Sequence, residues 1–335
     1  QEGTADMKKP NVKTTVFHTA MTLLLPIVIY IAFALITKGA FGGWMALRTV
    51  GRQTIIPVII AMAISFDMLQ GTWDFSAGSV VYASAIIGAN LGAAHGAAGV
   101  IACCMLIAIA LCAISGLLYT LLRIPAQILS VGMLMLYESL PRLLFKTGGV
   151  VSLRDTTLAQ PPYCFLVFAL VFIFYYIVYQ KSLFGHNVRA IGANQSVAFS
   201  AGVDIVKTKF ITFLVKGILL GAAGFMYMLS NIKVANPDTL TSFGLIFEAL
   251  MGTFFAMFLR KYSGMPVGMV VGVFSMKMLT TAMVACGMAA TVRSLVTGFF
   301  LLILLCVSSN QVKFVEWLQR RKIGKAAAQA LHHNT

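Results

Sequence analysis

Long, uninterrupted apolar runs dominate this sequence, and they restrict the fold more than any other feature. The run from Phe210 to Met228 contains a single charged residue, and a helix needs about 20 apolar residues to cross a bilayer. Only 10% of the 335 residues are charged, whereas soluble domains carry about 25%. The bilayer offers no partner for a free backbone amide, and the runs are continuous rather than alternating, so the spans must be helices. We therefore predict an all-α, polytopic integral membrane protein.

Ten apolar segments predict about ten transmembrane helices. Their approximate limits are 15–36, 54–69, 75–91, 97–122, 124–144, 163–179, 210–228, 243–259, 265–286 and 292–307. They divide the chain into an N-terminal segment 1–14, a transmembrane domain 15–310 and a basic C-terminal tail 311–335. An even number of crossings puts both termini on one side. Fifteen of the 25 Lys and Arg residues then share that side and seven lie opposite, which predicts cytoplasmic termini.

The longest polar interruption, Lys181–Lys209, falls in the cytoplasm by the same count. Asn194 is a good N-cap because its side-chain oxygen can accept from the free amides of a first helical turn. Gly202 suits the left-handed position that closes a helix. The residues between them, Gln195–Ala201, would form a rod about 10 Å long. Two interpretations remain open: a helix that a partner protein binds, and an ordinary amphipathic loop.

Several charged residues fall inside the apolar segments. A charge at the bilayer centre costs about 2.5 to 3.5 kcal/mol on insertion scales, so each is a candidate functional residue. These residues are Asp67, Asp74, Glu138, Lys216, Glu248, Lys277 and Arg293.

Local explanations exist for some of these charges. Asp67 and Asp74 flank Gly71, where we expect a helix to be interrupted. We therefore expect the two aspartates to cap a helix or to be solvated at its end. Glu138 precedes Arg142 by four residues, a spacing that allows an ion pair on one helix face.

The remaining charges predict contacts between helices. Lys216 and Lys277 lie deeper in their segments, and Glu248 could neutralise either of them. We expect at least one such pair to hold two helices together. Buried carboxylates are also what a proton-coupled carrier needs, so Asp74, Glu138 or Glu248 could instead form a proton relay.

The sequence contains no motif for catalysis, nucleotide binding or metal binding. It has no GxxxxGK[ST] phosphate loop, no HExxH helix and no GxSxG elbow. The six cysteines all lie in apolar runs without metal-ligand spacing, which is typical of small core residues. We therefore expect no enzyme activity, no metal and no cofactor in this chain, and no nucleic-acid partner.

Three stretches resemble the motifs of one protein family. The polar loop keeps the register of the pattern FGRxxYAIGGNxxAARxSGI followed by a lysine, with Phe184, Gly185, Ala190, Ile191, Gly192, Asn194, Ala198, Gly202 and Lys209 matching. Gly71–Ser79 reads GTWDFSAGS and is similar to GGIDLSVGS. Ile124–Met133 is similar to a PPFIxTLGM segment, and a TGG follows at 147–149. Over nearly its whole length the chain resembles the inner-membrane permease subunits of ribose-type sugar ABC importers.

The chain also departs from the family pattern. His186, Ala193 and Phe199 replace an arginine, a glycine and an arginine of the loop motif. After Gly252-Thr253 the expected Gly-rich GGTSLxGGxGxxxG becomes MGTFFAMFLRKYSGMPVG. These departures suggest a different solute, or pairing with a different permease rather than with a second copy.

The resemblance implies an assembly in the bacterial inner membrane. Two permease subunits would form the pathway of a sugar or sugar-like solute, an extracytoplasmic binding protein would deliver it, and two ATPase modules would hold ATP and Mg. The loop helix 194–201 would dock on an ATPase module. The coupling residues would be Phe184, Gly185, Arg189, Ala190, Gly192, Asn194, Ala198, Gly202 and Lys209.

The solute pathway is less constrained by the sequence. A sugar site needs aromatic faces and hydrogen-bonding groups, and the candidates are Asp74, Ser76, Gln127, Glu138 and Asn231. Two rival functions remain: an ion-coupled secondary transporter, and a membrane scaffold or receptor that has lost transport through the changes after Thr253.

Overall fold

The computed structural model describes residues 12–37, 41–122, 124–152, 155–260 and 263–309. Its helices are α1 Val12–Ile36, α2 Trp44–Leu69, α3 Ala77–Gly92, α4 Gly96–Leu122, α5 Ala126–Leu144, α6 Tyr163–Tyr176, α7 Leu183–Ala193, α8 Gln195–Ser200, α9 Ile205–Asn231, α10 Phe243–Leu259, α11 Met265–Ala285 and α12 Ala290–Ser309. The N-terminal segment up to residue 11 and the predicted basic tail 311–335 lie outside the described residues.

Each predicted apolar segment corresponds to one long helix, although α2 begins ten residues and α9 five residues before the predicted limit, so the all-α membrane fold is confirmed. Within the described ranges, six helical stretches are long and apolar enough to cross a membrane. One of them, Ala77–Leu122, contains both α3 and α4, joined by the short 3-10 turn Ala93–His95. The two shorter apolar stretches are Phe243–Leu259 and Ala290–Ile303. The count of ten crossings and the side of the termini remain predictions.

Two opposite faces of the bundle are defined by its connections. On one face, which we call the loop side, α7 and α8 connect the end of α6 to the start of α9. On the other, the hairpin side, strand β1 Gly149–Val150 pairs antiparallel with strand β2 Lys233–Val234. The 27-residue helix α9 runs from one face to the other, a length of about 40 Å.

Helix α9 packs closely against α4 and α3 through three glycines. A Cβ on Gly217 would lie 2.7 Å from the Ile109 Cα, and one on Gly221 would lie 2.6 Å from the Met105 Cα. A Cβ on Gly224 would overlap with the Ser84 hydroxyl. Small residues thus let the backbones approach, as in many membrane helix pairs, and they place α9 at the centre of the bundle.

We predict that Gly221→Ala lowers the free energy of unfolding by about 1–3 kcal/mol, because the added methyl group meets backbone that cannot move aside. Gly298→Ala is the matched control, because nothing lies within 4 Å of its Cβ position on α12. Denaturation by SDS in mixed micelles measures both variants. Equal stability of the two variants would contradict the close packing of α4 and α9.

Candidate functional site: a charged cluster beside two non-helical segments

The chain leaves helical geometry between α2 and α3 and turns inside the bundle. We call this segment, Gln70–Ser76, the first break. It contains Gly71 at φ +72°, and the Thr72 amide and hydroxyl both donate to the Asp67 carbonyl at 3.0 Å. Irregular backbone at membrane depth persists only where protein or a polar cavity surrounds it. The first break satisfies this condition because the side chain of its Asp74 reaches Lys216 in the middle of α9.

Lys216 is the basic centre of the site. Its Nζ donates to Asp67 Oδ2 at 2.9 Å and also to Asp74 Oδ2. The three side chains are 1%, 3% and 6% exposed, respectively. Lys216 lies eleven residues after the start of α9, about 16 Å along the helix axis, so the three residues meet deep in the bundle. We call Asp67, Asp74 and Lys216 the charged cluster.

The charged cluster corrects two expectations from the sequence. Asp67 and Asp74 are buried and paired, not solvated at a helix end. The partners of Lys216 are these two aspartates rather than Glu248. They lie 149 and 142 residues away along the chain, so no local spacing could indicate the contacts.

Asp74 also organises the start of α3. Its Oδ1 accepts from the Ser76 amide at 2.7 Å and from the Ser76 hydroxyl at 2.6 Å. The same carboxylate therefore fixes the first turn of α3 and binds Lys216 on α9. Both Asp74 and Ser76 were predicted pathway residues, and the structure places them together.

A second break precedes α10 and meets the first. This segment, Ile232–Ser242, contains β2 and two non-glycine residues with positive φ, Ile232 at 60° and Leu240 at 64°. The Ser242 carbonyl fills the space that a Cβ on Gly78 would need, so the starts of α3 and α10 touch. Broken helices that meet within a bundle are a feature of transporter binding sites.

Glu138 on α5 binds the end of the second break. Its two carboxylate oxygens accept from the Leu240 and Ser242 amides, each at 2.7 Å. The predicted pair with Arg142 is wrong, because Arg142 donates to Asp238 at 3.0 Å on the surface. A carboxylate next to the N-terminus of α10 is favoured by the unpaired amides there.

A further ion pair confirms the prediction that a charged pair joins two helices within the bundle. Lys277 Nζ on α11 lies 3.0 Å from both carboxylate oxygens of Glu248 on α10. This pair is partly exposed, and its Glu248 lines a cleft of about 570 Å³ together with Arg293 of α12.

An open aromatic groove lies beside the first break. Its volume is about 610 Å³, and its lining residues are Trp73, Phe75, Gln127, Ile128 and Val131. Trp73 and Phe75 lie 6.3 Å apart, ring centre to ring centre. Gln127 thus joins the first break, whereas Asn231 does not: it is exposed at the hairpin-side end of α9 and donates to the Tyr227 carbonyl.

The polar loop contains the predicted helix and one that the sequence analysis missed. In α8, Asn194 Oδ1 accepts from the Ser196 and Val197 amides at 3.0 and 3.2 Å, and Gly202 follows with φ +85°. The missed helix is α7, whose N-cap is Ser182. The signal was available, because a serine three residues before Gly185 can accept from its amide, as it does at 3.0 Å.

Most of the predicted coupling residues contact their own chain. A Cβ on Gly192 would overlap with the Leu69 carbonyl, so α7 lies directly against the end of α2. A Cβ on Gly185 would overlap with the Tyr179 carbonyl, to which the Arg189 guanidinium also donates.

The other coupling candidates are also accounted for within the subunit. Phe184 packs on Phe66 with ring centres 5.5 Å apart, Lys209 donates to the Tyr119 hydroxyl at 3.3 Å, and Ala198 is buried. The Ala190 carbonyl accepts from the Asn194 amide. The exposed apolar side chains of α8 are instead Val197, 64% exposed, and Phe199, 70% exposed.

These features define a helical membrane protein with broken helices around a charged centre, and the comparison with known families agrees. Residues 46–305 match the family described as branched-chain amino acid transport system / permease component. The match covers most of the chain, so the chain belongs to this permease family. Together with the relatives described next, this match confirms the resemblance to sugar ABC importer permeases that the three motifs indicated.

The relatives are divergent permeases. The autoinducer 2 import system permease protein LsrC of Photorhabdus luminescens is 28% identical over 262 residues, which cover 75% of this chain and 77% of the relative. LsrC of Enterobacter sp. (strain 638) is 26% identical over 306 residues, 87% and 86% of the two chains. The L-arabinose ABC transporter permease protein AraH of Azospirillum brasilense is 27% identical over 192 residues, 54% and 55%. No solved structure matches the chain.

Removing the cation of the charged cluster tests its structural role. We predict that Lys216→Met lowers the free energy of unfolding by about 3–5 kcal/mol, because two buried carboxylates lose their partner. Lys277→Met, in the partly exposed pair, should cost clearly less. SDS denaturation of both variants measures the difference, and unchanged stability of Lys216→Met would rule out the cluster.

Proposed function

We propose that this chain is the permease subunit of an ATP-binding-cassette importer and forms part of the pathway for a sugar or sugar-like solute. The observation that carries the proposal is the family match over residues 46–305. The relatives are named for import of autoinducer 2 and of L-arabinose, and the latter is a sugar. The subunit would lie in the bacterial inner membrane with its termini and the loop side in the cytoplasm, as the distribution of Lys and Arg suggests.

The exposed face of α8 is the proposed contact with a separate ATPase subunit. Val197 and Phe199 are exposed apolar side chains on a polar loop, and Lys181 and Lys207 of the same loop are exposed basic residues. An apolar centre with a charged rim is typical of a protein interface. ATP and Mg would be bound by the partner.

Helix α8 is connected to the charged cluster through α7 and the end of α2. Helix α8 follows α7 after the single residue Asn194, and Gly192 of α7 lies against Leu69 at the end of α2. Asp67 is on the last turn of α2, and the first break starts at Gln70. A displacement of the loop helices would therefore move the first break relative to α9, which is how ATP hydrolysis would open or close the pathway.

The aromatic groove is the proposed solute-facing surface. The faces of Trp73 and Phe75 suit the apolar faces of a sugar ring, and Gln127 offers an amide for its hydroxyl groups. The groove is open, so a second permease subunit, either a copy or a paralogue, would supply its other wall. The solute would arrive from a binding protein on the hairpin side.

We predict that Phe199→Asp abolishes binding of the ATPase subunit while the chain remains folded, because the change places a charge in the apolar centre of the contact. Copurification of the ATPase with the tagged permease measures binding, and the melting temperature measures folding. Val150→Asp is the matched control: Val150 is also exposed but lies on the hairpin side. Ala198 is unsuitable for this test because it is buried against its own chain.

Full copurification with Phe199→Asp would contradict the docking surface. The wider proposal is tested by uptake into vesicles that contain the complete set of partners. We expect uptake to require ATP. Uptake that needs an ion gradient and no ATPase would instead establish a secondary transporter, and no uptake under any condition would favour a scaffold or receptor.

A further inference from the structure

The charged cluster has an excess of negative charge. Two carboxylates, Asp67 and Asp74, share one ammonium group, and none of the three side chains is more than 6% exposed. Three ionised groups would leave one net negative charge buried at membrane depth. Such a charge is costly, and a buried group commonly changes its protonation state instead of carrying it.

The groups that face the cluster from the neighbouring helices do not remove this excess. Cys112 on α4 is near all three charges but has no positive form. Tyr137 on α5 is neutral and is bonded to the Ser115 hydroxyl and the Leu111 carbonyl. Tyr119 on α4 holds Lys209, the nearest further cation along α9, which lies seven residues, about 10 Å, before Lys216 and is partly exposed.

A second and independent anomaly lies beside Asp67. Gln70 is 7% exposed, and its Oε1 has no hydrogen-bond partner among the described residues. Its Nε2 donates to Thr212 Oγ1 at 2.7 Å and to the Phe66 carbonyl at 3.3 Å. Because Thr212 Oγ1 already donates to the Thr208 carbonyl, the orientation of the Gln70 amide is fixed. An unpaired buried acceptor is costly, and the ionised carboxylates cannot donate to it.

Asp67 and Gln70 share one small cavity. They are three residues apart at the end of α2, a spacing that places side chains on one helix face. Both line a cavity of about 10 Å³, which Asp74, Lys209 and Thr212 also line. Lys209 donates to the Tyr119 hydroxyl and forms no ion pair with either aspartate. This volume corresponds to about one water molecule, so no larger ligand fits.

We propose that Asp67 binds one exchangeable proton and supplies the donor for the Gln70 Oε1 side of this cavity. Protonation converts Asp67 to a neutral carboxylic acid, while Asp74 and Lys216 remain an ionised pair. One proton thus removes the buried negative charge and provides the missing hydrogen-bond donor. A metal cation is disfavoured because the Lys216 ammonium lies 2.9 Å from Asp67 and would repel it.

The position of Asp67 would make its protonation depend on the position of the end of α2. Asp67 is on the last turn of α2, two residues before Leu69, which contacts α7. Movement of this helix end would admit water to the cavity, and water would stabilise the carboxylate. The inference goes beyond the proposed import function and requires only this chain.

Infrared spectroscopy of the full chain in lipid nanodiscs tests the proposal, with ¹³C-labelled aspartate carboxyl groups that separate Asp from Glu. At neutral pH we expect one protonated aspartate band in the unmodified protein. Asp67→Asn should lose it, and Asp74→Asn should lose it too, because Asp67 then pairs with Lys216 one to one. Lys216→Met should double the band, because both aspartates then lack a cation.

Asp238→Asn is the matched control, since Asp238 is exposed and pairs with Arg142, and it should leave the band unchanged. Size-exclusion chromatography confirms that each variant is folded. If Lys216→Met does not fold, Asp74→Asn still tests the proposal, because its remaining Asp67–Lys216 ion pair has no net charge. The absence of the band from the unmodified protein, or its persistence in Asp67→Asn, would overturn the proposal. Loss of the band when Na⁺ replaces choline would also overturn it, because a metal ion would then occupy the site.

Discussion

The burial of Lys216 is the constraint on which the rest of this structure depends. An ammonium group at membrane depth requires acceptors, and α9 carries no carboxylate that could pair with it. The acceptors come from the end of α2 and from the first break. The chain between α2 and α3 must therefore enter the bundle, and the same carboxylate that binds Lys216 then fixes the start of α3.

Two carboxylates satisfy the irregular backbone that precedes α3 and α10. Asp74 satisfies the amide at the start of α3, and Glu138 satisfies two amides just before α10. The starts of these two helices touch at Gly78 and Ser242. The aromatic groove opens beside this centre. The contact between Gly192 and Leu69 connects the centre to the loop helices. The loop, the charged cluster and the groove are consequently one continuous arrangement.

The sequence predicted what depends on local pattern. Uninterrupted apolar runs located the long helices, and Asn194 with Gly202 located α8, because capping is decided within a few residues. The pairing of the charges was predicted less well. Glu138 and Arg142 have ideal helical spacing but bind different partners, and Lys216 binds residues more than 140 positions away. Such pairs follow from the packing of whole helices, which no short motif contains. The motif around Asp74 indicated its family but not its contact with α9.

The measurement that tests the central claim most directly is a double-mutant cycle between Lys216 and Asp74. The free energies of unfolding of Lys216→Met, Asp74→Asn and the double variant give the coupling energy of the pair. Our account predicts a coupling of about 1–3 kcal/mol, because the two groups are in direct contact and Lys216→Met leaves Asp74 buried without its cation. Strictly additive effects would show that Lys216 does not hold the first break in the bundle, and would contradict the account.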